Sequence, residues 1–340
     1  MSYPFLSLMV AGAVGLSLAP AWAGEARPSP PPSPATQAVA QEGTRLILLG
    51  TAGGPVTSAD RSQPASLLVV GGRPYLIDCG DGTTGQLRKA GFAANDIGHV
   101  FFTHLHIDHT AGLASLMAFN WVSGHRQVMR VFGPPGSEQL VRKAADYLTG
   151  PAEIHGAVLP PHPPLAAIAQ PQDLEVGQEK LVFEDDRLRV FAVANSHYVA
   201  TDLPKRAYGR DRAYSYRFET ADRTIVFTGD TGPSAALEKF ARNADILVSE
   251  VIDIDATNRM LKRQYAVSDE QLAPLVKHMV EEHLVPAEIG KLAAKAGVGM
   301  VVLSHVAPVT DEPIDPPRYT RGVRETFRGP VILGRDLDEF

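Results

Sequence analysis

Along most of its length the chain alternates short apolar runs with turns marked by glycine and proline, and few of the runs reach helical length. Residues 45–50 and 66–78 read as a strand followed by a hairpin that reverses at Gly71-Gly72. Residues 85–90 have the spacing of a short helix, 99–103 that of a buried strand, and 112–121 that of a helix. Strands are predicted again over 128–132, 188–194, 213–219, 223–228, 246–250, 300–304 and 331–334, and helices over 137–147, 234–243 and 286–296. The stretch 151–172 is proline-rich and reads as irregular. Strands precede and separate helices with no internal repeat, which predicts a layered α/β sandwich formed as one domain over 44–340.

The amino-terminal segment has a different pattern. Residues 5–20 are apolar and lead into Ala21-Trp22-Ala23-Gly24, the small-x-small form of a signal-peptidase site. A signal peptide over 1–23, cleaved after Ala23, is expected, with a periplasmic or secreted product and no stable membrane anchor. Residues 24–43 carry Pro28, Pro30, Pro31, Pro32 and Pro34 among small polar residues, the composition of an extended linker. With 340 residues, 44% of them hydrophobic, the chain has ample material for a large core. Its net charge of -6 argues against a nucleic-acid partner. Cys79 is the single cysteine, so no intramolecular disulfide can form. A homodimer is left open.

The chemistry is concentrated in Thr103-His104-Leu105-His106-Ile107-Asp108-His109, where three imidazoles and a carboxylate follow a predicted strand and precede a helix. Imidazole nitrogen and carboxylate oxygen suit Zn²⁺, although such sites also accept manganese or iron. Three later residues likewise follow predicted strands: His197, Asp230 in Thr228-Gly229-Asp230-Thr231, and His305 in Leu303-Ser304-His305. The first expectation is therefore a metal-dependent hydrolase.

The order His-x-His-x-Asp-His, then His, then Gly-Asp-Thr, then Ser-His resembles the metallo-β-lactamase superfamily from Leu48 to Leu333. Within it the chain is most similar to the branch of ribonuclease Z-type enzymes and zinc arylsulfatases, through Leu49-Gly50-Thr51, residues 76–83, residues 227–231 and Leu303-Ser304-His305. The resemblance implies a four-layer αββα sandwich and two metal ions. One would be held by His104, His106 and His197, the other by Asp108, His109 and His305, with Asp230 between them. A hydroxide shared by the ions would be the nucleophile, and Asp108 would orient it or take its proton. His283 and Glu250 stand where ribonuclease Z-type enzymes keep a catalytic histidine and its acidic partner, a pair suited to protonating a leaving oxygen.

The context of His197, Asn195-Ser196-His197, departs from the Gly-His-Thr turn of the lactonase and thioesterase branches, and no basic tRNA-gripping arm is evident over 133–188. The expected function is thus an exported binuclear zinc hydrolase cleaving a small-molecule ester, an aryl sulfate, phosphodiester or similar. The alternatives are a ribonuclease Z-type endonuclease, a lactone or β-lactam hydrolase, and a non-catalytic metal-containing binding protein. Asp78, Asp81 and Gly82 form a turn that could support the ligand loop, and Lys205, Arg206, Arg210 and Arg212 a cluster that could receive a sulfate or phosphate. His99, His125, His155 and His162 fit no pattern and are read as surface or structural.

Overall fold

The computed structural model describes residues 43–265, 268–309 and 314–340. The expected signal segment and all but the last residue of the proline-rich linker lie outside them. The chain opens with β1 (Thr44–Gly50), β2 (Ala65–Val70), β3 (Arg73–Ile77), α1 (Thr83–Lys89), β4 (His99–Phe101), α2 (Ile107–Thr110), α3 (Leu113–Val122), β5 (Met129–Gly133), α4 (Ser137–Gly156) and β6 (Ala169–Asp173). These six strands pair in sequence order, antiparallel from β1 to β3 and parallel from β3 to β6.

The second half contributes β7 (Lys180–Glu184), β8 (Leu188–Ala194), β9 (Tyr214–Thr220), β10 (Thr224–Phe227), α5 (Ala235–Phe240), β11 (Ile246–Ile252), α6 (Ile254–Tyr265), α7 (Asp269–Glu282), α8 (Pro286–Ala296), β12 (Met300–Ala307), α9 (Pro316–Thr326) and β13 (Val331–Leu333). Its seven strands run β13-β12-β11-β10-β9-β8-β7, parallel from β10 to β13 and antiparallel on the other side.

Why the central strands are apolar throughout follows from where alternate residues go. In β1, Leu46 and Leu48 face the other sheet beside Tyr75, Phe101 and Tyr216, while Ile47 and Leu49 face outward toward Leu116 and Met117 of α3. In β11, Ile246 and Val248 join the core between the sheets, while Leu247 and Val251 meet Leu292 and Ala293 of α8. A strand covered on both faces needs apolar residues at every position. Three apolar interfaces therefore separate helix, sheet, sheet and helix, which is the expected four-layer sandwich. A fourth, smaller cluster lies under α6 and α7, where Leu261, Leu272 and Met279 pack on Ile252 and Ala307.

The differences from the sequence reading have physical causes. Strands β6 and β7 were not anticipated; both are sheet edges, and β6 is polar and carries Pro171, which an edge tolerates because one side of its backbone has no partner strand. Helix α4 runs through Pro151 instead of ending near residue 147, because the turn around it is exposed, where the carbonyl that proline cannot pair meets water. Helices α6 and α9 are polar on most of their surface; the signal for α9 was Pro316 at its first position.

Candidate metal centre

Every residue expected to ligate a metal is brought to one edge of the sandwich, most of them by the segment that follows a strand. The chain leaves β4 at Phe101, and the turn that follows places His104 and His106 before α2, whose first turn carries Asp108 and then His109. His197 follows β8 and Asp230 follows β10. His305 differs from expectation, lying inside β12 rather than beyond it. There the pairing with β11 shifts, so that Ser304 and His305 lie opposite Glu250 alone, and His305 takes a left-handed φ of 44°. One β-bulge thus aims both His305 and Glu250 at the same edge. Gly229 has a φ of 58°, and a Cβ there would meet the Tyr214 carbonyl oxygen at 2.9 Å, so glycine lets the loop carrying Asp230 lie against β9.

The side chains gather in two sets. Ligand atoms of His104, His106, His197 and Asp230 all lie within 4.8 Å of one another, and so do those of Asp108, His109 and His305. His106 Nδ1 is 3.1 Å from His104 Nε2 and 3.1 Å from His197 Nε2. Asp230 reaches both sets, with Oδ2 3.8 Å from His104 Nε2 and 3.1 Å from His305 Nε2, and Oδ1 3.4 Å from His109 Nε2. His305 Nε2 also lies 3.4 Å from Asp108 Oδ2.

The outward nitrogens of three rings are held, while His305 Nδ1 is buried without a partner among the described residues. His104 Nδ1 meets Thr103 Oγ1 at 3.1 Å, His197 Nδ1 meets the Glu282 carbonyl at 3.0 Å, and His109 Nδ1 meets Asp78 Oδ2 at 2.9 Å. Asp78, itself at a left-handed φ of 57°, also accepts the Thr103 amide and hydroxyl. Its expected supporting role is thus met, whereas Asp81 bonds to Gln63 through its backbone.

Burial pushes His104, His197 and, less far, His106 toward the neutral form. For His109 and His305 burial acts the same way but is outweighed by carboxylates, with Asp230 foremost, and His305 is raised to about 10. Burial would raise Asp108, yet His109 and His305 hold it at about 2, and the same two rings with His104 hold Asp230 well below the usual carboxylate range.

The donor set fits a metal. It offers imidazole and carboxylate with no lysine among them, and the 3.1 Å between neighbouring nitrogens is close to the edge of about 3.3 Å of a tetrahedron with Zn–N bonds of about 2.05 Å. His109 Nε2 and Asp230 Oδ1 are buried with no hydrogen-bond partner, an unfavourable state that a cation between them would relieve.

Beside these sets stands the expected pair. His283 Nδ1 lies 2.6 Å from Glu250 Oε2 and 4.0 Å from Asp230 Oδ2, and Glu250 Oε1 accepts the Thr231 amide at 2.6 Å. Burial raises the Glu250 carboxyl, and His283 is raised because Glu250 outweighs its burial.

A cavity of about 460 Å³ opens onto members of both sets and onto His283. One side carries His106, Asp108, Asp230, His283 and His305; the other is largely apolar, with Val56, Ile107, Ile252, Met260, Leu261 and Met279, and no lysine or arginine lines it among the described residues. The Lys205–Arg212 cluster is not brought to the cavity: Arg206 pairs with Asp211 and Arg212 with Glu175. His99 stacks on Tyr75 with ring centres 5.2 Å apart, away from the site, and burial lowers it to about 4. His278, which the sequence alone presents as a surface residue of a predicted helix, and Glu282 instead belong to the wall made by α6 and α7, and their spacing of four on a helix was the available signal.

Residues 73–306 match the family described as Beta-lactamase superfamily domain. The ribonuclease Z of Mycobacterium sp. (strain KMS) is 33% identical over 302 residues, spanning 86% of this chain and 94% of that protein. The chain belongs to the metallo-β-lactamase superfamily, in its ribonuclease Z branch. It is a metal-dependent hydrolase of that fold. Among solved structures, the metallo-β-lactamase fold protein YhfI from Bacillus subtilis superimposes with a TM-score of 0.62 at 18% identity, over 88% of this chain and 99% of that one. The short form of human tRNase Z does so with a TM-score of 0.57 at 20% identity, over 87% and 98%.

Proposed function

We propose that this hydrolase uses two cations, Zn²⁺ by preference, to cleave a small phosphodiester or sulfate ester whose leaving group is apolar. His104, His106 and His197 would hold one ion and Asp108, His109 and His305 the other, with Asp230 reaching both. When bound, such ions neutralise charge developing on the ester and make a water acidic enough to ionise near neutral pH. His283, oriented by Glu250, hands a proton to the leaving oxygen. Asp108 takes or orients the proton of the attacking water.

The observation that carries this reading is the cavity. It joins both ligand sets and His283 to a largely apolar wall that carries no lysine or arginine among the described residues, so an aryl or alkyl group suits it better than a chain of phosphates does. Cleavage of RNA is the second reading, favoured by the kinship with ribonuclease Z. Export with cleavage after Ala23 belongs to the proposal too, and intact mass of the secreted product tests it.

Purified, metal-loaded protein is to be assayed on bis(4-nitrophenyl) phosphate, 4-nitrophenyl sulfate and a precursor tRNA. Turnover of an aryl ester that stops with a chelator is expected. Turnover of the tRNA alone, or inertness toward all three, would overturn the small-ester reading.

A further inference from the structure

The cavity wall contains a second histidine–carboxylate pair that the proposed chemistry does not use. His278 sits on α7 and lines the cavity with its side chain about a quarter exposed. Its Nδ1 bonds to Glu282 Oε2, one helical turn on, and lies 3.2 Å from Thr201 Oγ1. Glu282 is fully buried and completely engaged: Oε1 accepts the Ala200 amide at 2.6 Å, Oε2 accepts the Thr201 hydroxyl at 2.9 Å, and its carbonyl meets His197 Nδ1. A buried carboxylate is tolerated only when its oxygens are satisfied, and these bonds fix the His278 ring as well.

With Nδ1 committed to Glu282, Nε2 is the nitrogen left for the cavity, and it makes no hydrogen bond among the described residues. The ring stands 5.4 Å from His283 and almost perpendicular to it, and 5.6 Å from His197. Away from the ligand sets and His283 the wall is largely apolar, so an imidazole edge there is costly to desolvate unless a bound molecule meets it.

We propose that His278 is a substrate-binding residue, presenting Nε2 as the polar contact that fixes the leaving group of the ester against the apolar wall. The inference rests on the small-ester reading of the same cavity. Nothing is transferred to or from His278; Glu282 sets its ring plane, and the contact turns a greasy slot into one that recognises orientation.

Two substitutions separate this from a purely structural role. Asparagine places its amide near the Nδ1 position and can still bond Glu282, whereas the longer glutamine places its amide near Nε2 and can still reach the cavity. His278→Ala, His278→Asn and His278→Gln are compared with wild type for zinc content, for kcat and KM on bis(4-nitrophenyl) phosphate, and for the dissociation constant of phenylphosphonate, which needs no turnover. Unchanged zinc content is expected in all three. His278→Ala and His278→Asn should raise KM and the phenylphosphonate constant about tenfold with a smaller change in kcat, and His278→Gln should recover most of the loss. Recovery by asparagine but not glutamine, or wild-type values throughout, would overturn the proposal. A wild type inert toward every ester defeats the small-ester reading instead, and the phenylphosphonate series still decides for His278.

Discussion

The strand-end half of the site and the helical wall facing it are built in different ways. On the strand side the candidate ligands are buried, His106 partly, and are delivered by a loop, a short helix or a bulge, and His104, His109 and His197 are also oriented by a second bond, to Thr103, Asp78 and the Glu282 carbonyl. The wall from α6 and α7 is held by a small apolar cluster and presents side chains such as Met260 and Leu275 that are partly or largely exposed. On the proposed function, reactivity and selectivity are thus carried by separate parts. The first half fixes where charge is placed; the second decides what shape of molecule arrives there.

Removing the carboxylate that reaches both ligand sets should do most damage. Asp230→Ala is expected to lose metal and to fall to background turnover, a larger effect than the about 10–100-fold typical of groups that only orient ligands; elemental analysis beside the rate checks it. Next, His283→Ala should keep its metal and lose about 10²–10⁴-fold in kcat. If its turnover were unchanged at full metal content, the proton-donating pair with Glu250 would be reduced to a structural contact.

Asp78→Asn should weaken metal affinity about 10–100-fold through His109, read by competition with a chromophoric chelator. On the wall, Met260→Ala should leave metal content alone and raise KM for a bulky aryl ester by a few-fold, since about 0.8 kcal/mol is lost per methylene no longer covered. Equal losses for small and bulky esters would erase the division between the halves.

His99 offers a comparison from outside both. Burial holds it at about 4, whereas in the unfolded chain it takes up a proton near 6.5. The unfolded state therefore binds the proton first, and stability present above pH 6.5 falls as the pH drops toward about 4. His99→Phe, which keeps the stack on Tyr75 and Phe183, should lose less melting temperature than wild type between pH 7 and pH 5. Identical acid limbs would place the acid sensitivity elsewhere.

Much of the strand-end half was legible because its chemistry is local in sequence: His104, His106, Asp108 and His109 announce themselves by spacing, and His197, Asp230 and His305 by following apolar runs. The central strands were legible for a related reason, since two covered faces leave no polar position to blur the run. The wall was not. Helix α6 covers the site with Met260 and Leu261 among polar neighbours, and nothing in that pattern says which surface it will cover. His278 and Glu282 gain meaning only from Thr201 and His197, which are distant in the chain, and the bulge that aims His305 is a property of pairing with β11 rather than of its own residues.

On the proposed function the two ligand sets hold two cations that together drive ester hydrolysis. Adding Zn²⁺ in steps to chelator-stripped protein while following hydrolysis of bis(4-nitrophenyl) phosphate counts them by their effect. No turnover is expected in stripped protein, and a rate that climbs to a plateau at two equivalents. Full activity in stripped protein, or a plateau reached at one equivalent, would contradict this proposal.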